Sequence, residues 1–209
     1  MSATPWISVS AEGEASAAPD MAVVSLSVSG SGKELAPTRD EVNARASSVL
    51  ASLRELDVAE ADINAPDVAI HPEYDHRKGQ RLVGYRVSRQ VTARVRALDR
   101  LGEVLDGIVA AGANEVHGAQ MSASNPATAE HEALQVAVAA ARAKAEVLAE
   151  AAGVRLGPVT RIEEEPDHRG PPMPKMRMVA MAGAVDVPTE VAAGDLTVTR
   201  RIRAWFEIG

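Results

Sequence analysis

The chain has 209 residues, enough to bury a core as one large domain or two small ones; 46% are apolar but only 2% aromatic, so the core must be built from Val, Leu, Ile and Ala. Its formal net charge of -7 argues against a nucleic-acid-binding protein, whose surface carries a basic excess. There is no cysteine, which excludes disulfides, thiol catalysis and Cys-ligated zinc.

No apolar run reaches the roughly 18 residues of a membrane-spanning helix, so no transmembrane segment is predicted. The opening stretch MSATPWISVSAEGE has neither a basic n-region nor an apolar h-region. As written, the chain is expected to be cytoplasmic; a periplasmic or exported protein is the alternative if a leader has been removed.

Alternation starts at once. Ile7 and Val9 oppose Ser8 and Ser10, and Val24, Leu26 and Val28 oppose Ser25, Ser27 and Ser29. Both stretches read as half-buried strands. The period then changes: Val42, Ala46, Val49, Leu50, Leu53 and Leu56 lie at helical spacing, with Thr38 and Glu41 in a capping-box pattern. In HPEYDHRKGQRLVGY, His71, Glu73, Asp75 and His76 cluster before Gly79. Such a cluster can be a metal site or an acid–base centre. The alternating runs on either side, Val68, Ile70 and Tyr74 before it and Val83, Tyr85, Val87, Val91, Ala93 and Val95 after it, instead predict a polar hairpin turn. Arg89 is the one charged residue on the apolar side of the second run.

A short helix through Leu98, Leu101, Leu105 and Ile108 should end at Gly112, and a strand should follow over NEVHGAQMSASN. A long Ala-rich helix is predicted from about 127 to 152, with Gly153 as its stop and Leu134, Val138, Ala141, Ala145, Leu148 and Ala152 as its packing stripe. LGPVTRIEEE begins another strand. Residues 166–194 are rich in proline, glycine and methionine and hold no period; they read as an exposed, flexible loop, cut first by proteases at Arg169, Lys175 or Arg177. The chain closes on a strand with Leu196, Val198, Ile202, Ala204, Phe206 and Ile208 on one side. The predicted order is β-β-α-β-β-α-β-α-β-β. This is an α+β fold, a mainly antiparallel sheet packed with one long and two shorter helices, in a single domain over 6–209 or in two lobes.

Four segments in register resemble the SIMPL-domain family, which includes bacterial periplasmic immunogenic proteins. They are ISVSAEGEASAAPDMAVVSLSV, DINAPDVAIHPEYD with LVGYRVSRQVTARVRALDRLGEVLD, AGANEVHGAQMSAS, and ALQVAVAAARAKAEVLAEAAGVRLGPVTRIEE. The resemblance implies an α+β fold and homo-oligomerisation, with ring or hollow, channel-like assemblies for some members. It implies no catalytic motif, and a poorly defined role linked to envelope biology and stress resistance.

Motifs for chemistry are sparse. There is no Gly-x-Ser-x-Gly elbow, no phosphate-binding glycine loop and no His-Glu-x-x-His pair. VSGSGKEL, with Lys33, lacks phosphate-loop spacing; Glu130 and Glu132 suit the positive end of a helix; His117 stands alone in a strand; EEEPDH lacks calcium-loop spacing. No catalytic residue, cofactor or enzymatic activity is therefore expected. The alternative function is soft-metal (copper) or small-ligand binding through the Met-rich loop 168–181: Met173, Met176, Met178 and Met181, with His168 nearby, could wrap Cu(I) through their thioethers. The plainer reading makes these methionines adaptable contacts for a partner subunit.

One surface is predicted without a motif. Arg86, Arg94 and Arg96 lie on the polar side of one long strand, and Arg201, Arg203 and Trp205 on that of the last strand. In a single sheet they would form a basic patch on an acidic protein, where another copy of the chain could dock. The expected molecule is a non-enzymatic, self-assembling protein.

Overall fold

The computed structural model describes residues 5–76, 79–166 and 194–209. They fall into two compact units, one built from 5–19, 123–166 and 194–209, the other from 20–76 and 79–122.

The elements in chain order are β1 (Trp6–Ala17), β2 (Met21–Gly32), α1 (Leu35–Glu55), the two-residue β3 (Ile63–Asn64), β4 (Val68–Asp75), β5 (Arg81–Val95), α2 (Leu101–Ala110), β6 (Glu115–Ser122), α3 (Ala127–Ala151), β7 (Leu156–Glu165) and β8 (Leu196–Ile208). The α+β class and the antiparallel pairing agree with the sequence reading; β3 is an addition too short to show a period. The hairpin reading of the His71–His76 cluster also holds. β4 and β5 pair antiparallel from Val68↔Arg89 to Asp75↔Arg81; His71, Glu73 and Asp75 lie on β4 itself and His76 follows it at the turn end of that ladder.

In the second unit the sheet order is β3-β5-β2-β6, with β4 also on β5. Val24, Leu26 and Val28 of β2 and Val87, Val91 and Ala93 of β5 are fully buried, as are Val42, Ala46, Val49 and Leu53 of α1. Alternation on the strands and the 3.6 period on the helix each place one apolar face inward. Helix α1 begins three residues before the predicted cap. Thr38 is inside it, donating its hydroxyl to the Glu34 carbonyl at 2.8 Å. Pro37 made the earlier start hard to read, yet a first helical turn tolerates a residue with no amide proton. Gly112 (φ 116) closes α2 as predicted, with Ala113 N–H donating to the Ile108 carbonyl at 3.0 Å.

An ion pair ties one corner of this unit. Arg96 donates to both oxygens of Asp62, at 2.6 and 2.9 Å. That hydrogen bonding, opposed by partial desolvation, holds the Asp62 carboxyl below its usual value of 3.8. A lowered folded-state pKa contributes stability above 3.8, and the contribution is lost as pH falls from there through the folded value. Arg96 is largely exposed, which screens the pair. Asp62→Asn should therefore cost only about 1 kcal/mol at neutral pH. Urea midpoints of the two proteins measured from pH 7 down to about 3 should converge; a constant gap would rule out this pair as the source.

In the first unit the sheet order is β1-β8-β7. β1 and β8 pair from Trp6↔Glu207 to Ala17↔Leu196 without a break. Across one face lies α3, and its packing stripe differs from the predicted one. The buried residues are Ala129, Ala133, Ala137, Ala141, Ala145 and Ala149, an alanine at every fourth position. Only Ala141 and Ala145 were in the predicted set. Val138 and Leu148, assigned inward by their size, are 41% and 47% exposed. The reason is backbone proximity: a Cβ at Gly13 would lie 2.0 Å from the Ala133 carbonyl oxygen and 2.4 Å from the Ala137 nitrogen. A helix that close to a strand has room beneath it for methyl groups only. Val9, Ile202 and Phe206 from the sheet supply the bulk of the core. Leu148→Ala should accordingly change stability by less than about 0.5 kcal/mol in urea unfolding; a loss of several would restore the stripe of large residues. Gly153 (φ 69) ends α3, with Val154 N–H on the Ala149 carbonyl and Gly153 N–H on the Glu150 carbonyl, both at 3.0 Å.

Candidate functional site

Two places in the described residues concentrate features that a fold alone does not require. The first is the polar side of the second unit's sheet. β2 and β6 pair with a register shift between Ser25 and Leu26: Ser25 faces Gly118 and Leu26 faces Val116, so His117 is the extra residue of a β-bulge, next to Gly118 at φ 132. The bulge turns His117 toward Ser27, and the Ser27 hydroxyl and His117 Nε2 share a hydrogen bond of 2.8 Å. One step along, Ser29 Oγ donates to Glu115 Oε1 at 2.6 Å. The side-chain amide of Asn114 continues the strand ladder in place of a peptide: its Oδ1 accepts from Ser29 N–H at 2.8 Å and its Nδ2 donates to the Ser29 carbonyl at 3.0 Å. Arg45 of α1 bridges the Ser29 and Gly112 carbonyls at 3.2 and 2.9 Å. The side chains of Ser27, Ser29, Asn114, Glu115 and His117 join β2 to β6 and the residue before it, and Arg45 adds α1, so the group reads as a structural tie. His117 was noticed in the sequence as a solitary histidine; Ser27 was hidden in a row of alternating serines.

The second place is the edge of the first unit. β1 has β8 on one side and, among the described residues, no strand on the other. Beside that edge runs α3. A groove of about 530 Å³ lies between them, lined by Val9, Ser10, Ala143, Lys144, Val147 and Leu148. A second, of about 340 Å³, continues it past Ala11, Glu12, Ala140 and Arg201. Lys144 reaches over the edge and donates to the Ser10 carbonyl at 3.0 Å. Val136 and Val147 on this flank of α3 are 47% and 65% exposed.

The single sheet on which the predicted basic patch depended is not present among the described residues. β5 and β8 belong to different sheets in different units. Arg86 pairs with Glu73 at 3.1 Å, and Arg96 with Asp62. Arg94 stands exposed opposite Val23. Arg201 pairs with Glu12, and Arg203 with Glu165 at 3.0 Å. Trp205 is half-buried, with the Arg161 guanidinium 4.9 Å from its ring centre. Alternating charge across neighbouring strands was invisible in the sequence, where β1, β7 and β8 lie far apart. Also unforeseen was Arg200, on the apolar side of β8, whose guanidinium pairs with Glu130 and lies 3.7 Å from Glu164.

Among the described residues no three His, Asp or Glu side chains gather into a set that could hold a metal ion. His168, Met173, Met176, Met178 and Met181, with the rest of the loop assigned to 166–194, lie outside the described residues except at its two ends. No helix among the described residues is long and apolar enough to cross a membrane.

The long α3 on a three-stranded sheet and the bulged polar sheet occur in a chain that matches one family model over residues 7–206, that of SIMPL, described as "Protein of unknown function (DUF541)". The chain belongs to the SIMPL family. It is similar to the 26 kDa periplasmic immunogenic protein of Brucella melitensis biotype 1, with 34% identity covering 97% of this chain and 84% of that protein. It is also similar to the uncharacterized protein YggE of Edwardsiella ictaluri, at 32% identity over 85% of this chain and 75% of that one. The YggE of Escherichia coli K12 is 28% identical over 84% and 71%. These relatives correct the expected location. The cytoplasmic expectation rested on the lack of a leader at the start of the sequence, and where a sequence starts does not decide a compartment. Relatives covering nearly the whole chain are named as periplasmic.

Proposed function

We propose that this chain is a periplasmic, self-associating protein of the cell envelope that acts through its surface rather than through a catalytic centre. The observation that carries the proposal is the edge of the first unit. There a twelve-residue strand with no neighbour on its outer side, among the described residues, runs beside an exposed apolar flank of α3. A long open strand edge beside apolar surface is an aggregation hazard unless something covers it. Self-association covers it in a defined way. The periplasmic location is supported by the names of the Brucella relatives, and a cysteine-free chain has no thiols to mispair in an oxidising compartment.

The non-enzymatic reading draws support from the polar group around Ser27, Ser29, Glu115 and His117, whose hydrogen bonds are spent between strands. Light scattering on the purified chain at micromolar concentration tests the proposal. A single species of several subunits is expected, and a monomer would overturn it. Fractionation of cells expressing the full-length gene should place the protein in the periplasmic fraction; recovery in the cytoplasm would reject the location.

A further inference from the structure

We propose that the trough between β1 and α3 is a binding site for a single-chain amphiphile with a carboxylate head, a fatty acid. Lys144 takes the head, and Val9, Ala143, Val147 and Leu148 take the chain. The proposal goes beyond the self-association reading and does not rest on it. The trough is lined within one chain, and a monomer can hold the ligand as well as an assembly can.

The lining follows from the spacing of α3. Ala137, Ala141 and Ala145 take the buried side, which leaves Ala143, Lys144, Val147 and Leu148 to wall the space beside Val9 and Ser10. Its volume of about 530 Å³ suits one small ligand. Val9 is its buried floor, while Val147 and Leu148 stand 65% and 47% exposed above it. The polar lining residues are Ser10 and Lys144. The Ser10 hydroxyl is engaged by Glu165 and Arg203, so the strand offers the trough its backbone at that point. A hydrocarbon chain laid over Val9, Ala143, Val147 and Leu148 removes their apolar surface from water, which is the source of affinity.

Lys144 selects the head. Its ammonium donates to the Ser10 carbonyl at 3.0 Å, a neutral acceptor, and among the described residues it has no carboxylate in salt-bridge reach. Arg201, which lines the adjoining space, is paired with Glu12. On a chain of net charge -7, an ammonium without a counter-charge at the rim of an apolar trough matches an anion, and one ammonium matches one carboxylate. A doubly charged phosphate head would bring its second charge toward Glu12, which lines the adjoining space with Lys144. The flexible lysine stem lets the ammonium swing from the Ser10 carbonyl to the head while its methylenes stay against the chain.

Isothermal titration calorimetry of the full chain with decanoate, below its micellar concentration at neutral pH and low salt, tests the proposal. Saturable binding of one decanoate per chain is expected, with weaker binding of decanol and of decyltrimethylammonium. Lys144→Met keeps an apolar stem and removes the charge. It should weaken decanoate about five-fold, the worth of one part-exposed ion pair, and leave decanol unchanged. Val147→Glu changes an exposed helix position and sets a carboxylate against the chain, so it should abolish saturable decanoate binding while the far-ultraviolet circular dichroism stays that of the parent. No saturable binding by the parent overturns the site, and so does a Val147→Glu protein that binds as the parent does. Equal affinity for decanoate and decanol, or an unchanged affinity in Lys144→Met, overturns the role given to the head. Light scattering on the same samples reads self-association separately, so either proposal can fail without the other.

Discussion

Gly13→Ala is expected to destabilise the first unit by about 3 kcal/mol or more, at the upper end of what one added methyl costs in a packed interior. The backbone at Gly13 is ordinary strand, so the effect is purely steric. The new Cβ would sit 2.0 Å from the Ala133 carbonyl oxygen, and that neighbour is helix backbone, which cannot rotate away as a side chain can. The helix must lift, and lifting separates the alanine stripe from Val9, Ile202 and Phe206. Both tryptophans, Trp6 and Trp205, belong to this unit, so the shift should be read in the tryptophan-fluorescence transition under urea. A midpoint unchanged from the parent would mean that α3 does not touch β1 at Gly13.

The second large effect is in the other unit. Leu26→Ala should cost about 2–5 kcal/mol, the range for removing a large aliphatic group from a sealed core. Leu26 is fully buried in β2, flanked in the sheet by Val91 and Val116. Tyr74 and Tyr85, the chain's two tyrosines, both lie in this unit, and the change should appear in the tyrosine absorbance transition on heating or in urea. A cost below about 1 kcal/mol would place Leu26 at a surface.

How much of this was legible depends on how locally each feature is encoded. Strands β1, β2, β5 and β8 and the ends of α2 and α3 could be read because alternation and C-terminal glycines are written in consecutive residues. The alanine stripe could not. Side-chain size pointed to Leu148 and Val138, while the deciding fact, Gly13 beneath Ala133, joins residues 120 positions apart. The separation of β5 from β8 was equally hidden, because alternation says which side of a strand is apolar and nothing about which sheet it joins. The same holds for the Ser27–His117 contact, which needs a bulge in β6.

The central claim, that this SIMPL-family chain works as a self-associated assembly, is tested most directly by sedimentation velocity of the unmodified protein across a hundredfold range of concentration. One discrete boundary at the mass of several 21.9 kDa chains, holding its position through most of that range, is the predicted result. A boundary at the mass of a single chain throughout would contradict it.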